Sequence, residues 1–212
     1  MSESAADVTG VVLAGGSSSR FEDGNKALAT LDGETLVERV VRALSSATKQ
    51  PPLVAVRTEA QRDRFSRTLP SAWDVRFVMD DDELTGPLAG LLSACETAST
   101  RWLFTVGCDM PLVDASTVTG TFERATRTAA CHPCAVVPVS RGQYEPLHAV
   151  YRRESVIDCR DRLSVDDGFG ALLTELGDVD YVDIDELPQV GQASVTNVNT
   201  VAELERVAAD VE

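Results

Sequence analysis

Three stretches of the chain gather residue types suited to handling a phosphorylated ligand. The first is Leu13-Ala14-Gly15-Gly16-Ser17-Ser18-Ser19-Arg20, a small-residue turn after an apolar run, where backbone N–H groups can come close to an anion. It lacks the Gly-Lys-Ser/Thr ending of a P-loop and the G-x-G-x-x-G spacing of a dinucleotide fingerprint, so neither default nucleotide fold is expected. Arg20 and Lys26 flank a second turn, Glu22-Asp23-Gly24-Asn25. In an acidic chain two such cations are better matched to a polyanionic ligand than to chance. The bland alternative is a surface loop whose cations face Glu22 and Asp23. The second stretch is Asp80-Asp81-Asp82-Glu83, a solvated acidic loop or a contact to a nucleotide or its metal. Thr85-Gly86-Pro87-Leu88-Ala89-Gly90 follows it and opens a helix whose positive N-terminus a base or ribose could approach closely. The third is Val106-Gly107-Cys108-Asp109-Met110-Pro111, where a lone carboxylate is placed to hold Mg²⁺ on a phosphate. Its structural alternative is an Asx turn or a helix cap before Asp114.

Other chemistries find less support. Cys131-His132-Pro133-Cys134 has the C-x-x-C spacing of redox and zinc sites, but a zinc site would want a second pair, and none is present. A solvated loop leading into the apolar run Ala135 to Val139 is the competing reading. Cys95, Cys108 and Cys159 bring the cysteines to five, which leaves one unpaired in any full disulfide scheme. His132 and His148 are the only histidines, and His148 sits in an apolar run that reads as strand packing rather than as a general base.

These residues need a frame, and apolar runs alternate with helical patterns along the chain without repeat or linker. Strands are expected at Val8 to Leu13, Leu53 to Val56, Val75 to Met79, Trp102 to Val106, Ala135 to Val139, His148 to Tyr151 and Tyr181 to Ile184. Their continuous apolar runs imply burial on both faces. Thr35 to Ser46 carries Leu36, Val37, Val40, Val41 and Leu44 on one helical stripe, with Thr35 and Glu38 as a capping box. Further helices are expected at Glu59 to Thr68, Pro87 to Ala98, Ala115 to Ala125 and Gly170 to Leu176. A last one starts at Thr200, where Thr200 and Glu203 repeat the box. The alternation predicts an α/β fold, a Rossmann-like three-layer αβα sandwich with a mostly parallel central sheet.

At 212 residues the chain fits one such domain. Thirty-four acidic residues against 19 basic ones give a net charge of −15, which argues against nucleic acid and anionic membrane surfaces as partners. No apolar run approaches the ~18 residues of a membrane span, and Glu3 and Asp7 stand where a secretory leader would be basic, so a soluble cytoplasmic chain is expected. Only Lys26 and Lys49 are lysines. A G+C-rich genome would explain the arginine excess, but not the acidity; both together fit a halophile.

The motifs together resemble the nucleotidyltransferase superfamily, and most closely the molybdenum cofactor guanylyltransferases, here in a haloarchaeal composition. The resemblance rests on Leu13-Ala14-Gly15-Gly16, Ser18-Ser19-Arg20, Gly24-Asn25-Lys26, Gly86-Pro87-Leu88-Ala89-Gly90, Cys108-Asp109-Met110-Pro111, Glu145-Pro146-Leu147 and Asn197-Val198-Asn199-Thr200, in the family's order from Val8 to Val207. It implies a nucleotide-binding half over residues 8–110 and an acceptor-binding half over 111–212. Leu13, Ala14 and Gly15 would meet guanine and ribose through backbone groups, with Gly16, Gly86 and Pro87 also at the nucleotide. Lys26 and Arg20 would grip the triphosphate, Asp80 would sit at the nucleotide and Asp109 would bind Mg²⁺. Glu145, Pro146 and His148 would face the acceptor, and Asn197 or Asn199 would supply a second metal-side ligand or an acceptor contact. Arg57 stands where bacterial members carry a base-contacting asparagine, and the Arg20 to Lys26 stretch is one residue longer. The implied reaction joins GMP from GTP to the terminal phosphate of molybdopterin, for delivery to a molybdoenzyme or a molybdopterin-insertion protein. Its rivals are CTP- or GTP-dependent transfer to another phosphorylated acceptor, such as cytidylyl transfer to molybdopterin, a cobinamide phosphate or a sugar phosphate, and a GTP-binding module without turnover.

Overall fold

The computed structural model describes residues 7–16, 26–127, 132–187 and 192–211. Seven strands form the path of one sheet, in the order β10 (Val179–Asp183), β7 (Ala135–Ser140), β9 (His148–Arg152), β6 (Trp102–Gly107), β1 (Val8–Leu13), β4 (Leu53–Val56) and β5 (Arg76–Met79). A short β8 (Gln143–Tyr144) pairs back on β7. β1 runs parallel to β4 and β6, and β4 to β5, whereas β9 is antiparallel to both β6 and β7. The mostly parallel sheet expected from the alternation is present; the reversed β9 is a feature that apolar runs alone do not reveal.

Side chains alternate across the sheet, and both faces are covered. Val12, Val54, Phe104 and Val150 point to one layer, where α1 (Leu36–Ala47), α2 (Glu59–Thr68) and α4 (Ala115–Thr126) pack. Val11, Ala55, Leu103 and Tyr151 point to the other, with α3 (Pro87–Thr97), α5 (Arg153–Cys159) and α6 (Phe169–Leu176). The stripe Leu36, Val37, Val40, Val41 and Leu44 of α1 is wholly buried, each side chain worth about 1.5–3 kcal/mol of transfer free energy. Thr35 caps α1 with a reciprocal Glu38 bond, as the spacing predicts.

A third, smaller cluster joins the two ends of the chain. The hairpin of β2 (Thr30–Leu31) and β3 (Glu34–Thr35) turns through Asp32 and Gly33, both at positive φ. Its Leu31 packs with Leu36, Val198 and Val207, the last on α7 (Val201–Val211). The carboxyl-terminal helix is thereby anchored beside the segment that carries Lys26. Among the described residues no helix is long and apolar enough to cross a membrane.

Candidate nucleotidyl-transfer site

The carboxyl ends of the parallel strands open onto a cleft of about 470 Å³. β1 delivers its turn into it, fixed where Ala14 N donates to Ala55 O at 2.9 Å and Cys108 N to Leu13 O at 3.2 Å. β6 ends in Gly107, which has no side chain for a reason: a Cβ there would stand 2.3 Å from Asp109 Oδ1. Asp109 can therefore fold back over its own strand end. Its backbone carbonyl accepts from Val198 N at 2.8 Å, which ties the segment before α7 to the cleft.

Lys26 opens a 3-10 turn, Lys26–Leu28, just before the β2–β3 hairpin. Its Nζ donates to Asp109 Oδ2 at 2.5 Å and to Asn199 Oδ1 at 2.9 Å. Asn199 is held in turn by its N–H, which donates to Glu203 Oε2 at 2.6 Å within the capping box of α7. The box that Thr200 and Glu203 predict thus also presents Asn199.

Asp80 leaves β5 on the opposite side. A Cβ on Gly15 would lie 2.1 Å from Asp80 Oδ2, and one on Gly90 would lie 3.1 Å from Oδ1, so two glycines make the slot in which this carboxylate sits. No hydrogen bond from a described residue reaches the carboxylate, and burial raises its pKa to about 6, with the nearby Arg57 guanidinium pulling it down. Gly86, at φ +70°, turns the chain into α3, and Pro87 occupies the first helical position, as expected for a helix opening on a ligand.

Leu13, Ala14, Gly15, Gly16, Lys26, Asp80, Gly86, Pro87 and Asp109 all line this one cleft, joined by Arg57, which the resemblance set at a base-contacting position, and by Gly90, Gly107, Cys108 and Leu147, which sequence reasoning did not nominate as site residues. Burial first, and Asp109 second, push the Cys108 thiol up to about 12, so it is no nucleophile at neutral pH. Asp114, whose side chain accepts from Thr117 N at 2.9 Å, is the helix cap of this region, which leaves Asp109 free of that task. Arg20 lies outside the described residues, as does Cys131. Cys134 accepts a bond from Arg152 Nη2 at 3.1 Å.

On the acceptor side the expectations divide. Asn199 joins the cleft through Lys26, and Asn197 Oδ1 is buried with no partner among the described residues. Glu145 is half-buried, with its pKa raised by burial, and Pro146 O accepts from Tyr151 Oη at 2.8 Å; the third residue of that motif, Leu147, is the one that lines the cleft. His148 requires a correction. It is fully buried, its Nε2 lies 3.0 Å from Ser194 Oγ and its ring meets Phe104 edge-on at 5.2 Å. Burial lowers its pKa to about 4, so it is a neutral core residue closed to an acceptor.

The match of residues 10–179 to the model of the MobA-like NTP transferase domain decides the family. The chain belongs to the MobA-like NTP transferase family. It is 32% identical over 202 residues to a probable molybdenum cofactor guanylyltransferase of Natronomonas pharaonis, covering 93% of this chain and 95% of the relative. A relative of the same name from Opitutus terrae is 36% identical, over 77% and 75% of the two chains. Molybdopterin-guanine dinucleotide biosynthesis protein A of Archaeoglobus fulgidus shares the fold, with a TM-score of 0.75 and 24% identity over 96% and 97% of the chains. A CMP:2-keto-3-deoxy-manno-octonic acid synthetase solved with CTP shares it at a TM-score of 0.71 and 16% identity, covering 97% and 98%. MobA-like transferases are nucleotidyltransferases, and the three-layer sandwich seen here is their fold.

Proposed function

We propose that this protein transfers GMP from GTP to the terminal phosphate of molybdopterin, forming the guanine dinucleotide cofactor and pyrophosphate. The observation that carries the reading is the Lys26 ammonium gathered by Asp109 and Asn199 in a cleft whose far wall holds Asp80. One end is built for phosphate charge, the other for a base. An ionised Asp80 is acceptor-only and suits guanine, whose adjacent ring and amino N–H groups both donate; adenine and cytosine set an acceptor beside their amino group. Backbone groups of Leu13, Ala14 and Gly15 border the base and ribose.

The reaction is an in-line displacement. An oxygen of the acceptor phosphate bonds to the α-phosphorus, the bond from that phosphorus to the oxygen bridging to the β-phosphate breaks, and pyrophosphate leaves. The attacking group is already an anion, so no side chain need take a proton, and the one thiol lining the cleft among the described residues, Cys108, is held protonated. What remains is alignment and charge neutralisation. Lys26 serves the β and γ phosphates, with Arg20 assigned the same task on its sequence position. Asp109 and Asn199 offer hard oxygens that already share one cation, the Lys26 ammonium, and this donor set fits Mg²⁺, which takes one or two carboxylates and fills its shell with phosphate and water. When bound, Mg²⁺ supplies charge stabilisation on the phosphates.

The test is a nucleotide panel: protein, Mg²⁺ and molybdopterin with each triphosphate, reading pyrophosphate. GTP alone should release it. Release with CTP instead would make the protein a cytidylyltransferase, and tight GTP uptake without pyrophosphate would make it a binding module.

A further inference from the structure

The carboxyl-terminal half reaches the nucleotide cleft at a place the proposed reaction does not use. Between Asp80 and Gly86 the chain forms one rim of the cleft, outside any helix or strand. Its own ties are slight: Glu83 N donates to Asp81 Oδ1 at 2.8 Å and Asp81 N to Ala89 O at 3.3 Å. The rim is fastened from elsewhere. Arg160, just after α5, donates through Nη2 to Asp81 Oδ2 at 2.6 Å and to Glu83 Oε2 at 3.0 Å. Five residues later, Val165 O accepts from both Thr85 N at 3.0 Å and Thr85 Oγ1 at 2.9 Å. A single segment, residues 160–165, therefore grips the rim near both ends.

The two ion pairs of Arg160 are unequal. The Asp81 side chain is 7% exposed and that of Glu83 82%, so the first is shielded from solvent screening and the second is not. Arg160 Nε is also buried with no partner among the described residues. A buried unsatisfied donor costs free energy, and an apolar residue there would avoid that cost, so the guanidinium is poorly explained as a stability element. Asp80, next to Asp81, has its backbone N–H bonded to Val56 O at 2.8 Å, while its carboxylate receives no hydrogen bond from a described residue. Among the described residues the carboxylate is placed by its slot between Gly15 and Gly90, by the backbone on either side and by the charge of Arg57.

We infer that Arg160 is a positioning residue for base recognition: by holding Asp81 it fixes Asp80 in its glycine slot and so sets the preference for the base. The inference rests on the proposed binding of a nucleotide in this cleft. Arg160 is not among the residues that line the cleft, so its removal acts on nucleotide affinity and selectivity and leaves the transfer step alone.

The experiment measures kcat and KM for GTP and for ATP in the full-length wild type, Arg160→Gln, Arg160→Lys, Asp81→Asn and the double variant. Arg160→Gln should raise KM for GTP about tenfold, leave kcat within about twofold and narrow the preference for GTP over ATP. Arg160→Lys should recover part of the loss. Asp81→Asn should reproduce it, and the double variant should be no worse than either single change, the mark of one shared contact. Unchanged KM and preference in a folded Arg160→Gln would overturn the inference. So would a fall in kcat with selectivity kept, or additive losses in the double variant. Wild-type protein that turns over a different triphosphate sinks the guanine reading alone; the same KM and selectivity comparison is then made with that triphosphate.

Discussion

Lys26 Nζ and Asp109 Oδ2 lie 2.5 Å apart although 83 residues separate them, and the same ammonium reaches Asn199, 173 residues away. Three distant segments meet on one cation: the 3-10 turn before the β2–β3 hairpin, the end of β6 and the cap of α7. Both partners of the Lys26–Asp109 pair are only 16% exposed, so each is partly stripped of water and depends on the other. Lys26→Ala should raise KM for GTP by about tenfold or more, since it removes the proposed phosphate contact. Asp109→Ala should cut kcat by at least about 100-fold while GTP still binds. Steady-state pyrophosphate release separates the two, and a wild-type rate in the Asp109 variant would end its assignment.

The Asp80 slot gives a sharper steric forecast. Gly15→Ala adds a methyl group 2.1 Å from Asp80 Oδ2, closer than any real contact, so the carboxylate must leave its slot. GTP affinity should fall about tenfold with the thermal midpoint little changed, because a half-buried side chain at the cleft wall can swing toward solvent. Calorimetric titration with GTP checks this. Equal affinity in the variant would show that the orientation of Asp80 is immaterial to binding.

Much of this site was legible in the sequence for a physical reason. Strand-end residues in an open α/β sheet share one edge, so Gly15, Asp80 and Asp109 had to face one another once their three strands were placed. The partner of Lys26 was not legible in that way. Asn199 reaches it because Leu31, Val198 and Val207 pack together and Val198 N bonds to Asp109 O, long-range contacts that no periodicity encodes. A signal for the β2–β3 hairpin was present in Asp32-Gly33, the dipeptide that favours a tight turn at positive φ. His148 shows the reverse case. Motif position suggested a ligand-facing histidine, but β9 runs antiparallel beside β6 and sets His148 opposite Val106, under α4. Strand direction, which apolar runs do not carry, decided its environment.

The charge of −15 makes a prediction independent of any single residue. Self-repulsion opposes compactness and also repels an anionic substrate until salt screens it, and the screening length shrinks from about 10 Å at 0.1 M to about 3 Å at 1 M. The thermal midpoint and kcat/KM for GTP should both rise from dilute buffer to about 1 M KCl. Full stability and activity at low salt would refute this.

Asp80 and His148 make opposite contributions to the pH dependence. Asp80 titrates near 3.8 when unfolded and at about 6 when folded, because burial outweighs the pull of Arg57. Between those values the folded chain keeps a proton the unfolded chain has lost, so this contribution is full below 3.8 and disappears as pH rises through 6. His148 titrates near 6.5 when unfolded and at about 4 when folded, so the unfolded chain takes up the proton first, and stability is lost as pH falls from 6.5 toward 4. Over that window the two groups offset one another. Asp80→Asn removes the first, so its urea midpoint should fall more steeply from pH 6.5 to pH 4 than that of the wild type. Binding adds an independent check. In the proposed base contact guanine is held by the ionised carboxylate, so GTP affinity should climb as pH rises through about 6 and then level off, while the Asn variant binds weakly with no such step. A wild-type affinity that is flat from pH 5 to pH 8 would mean that the carboxylate of Asp80 takes no proton in that range or does not meet the base.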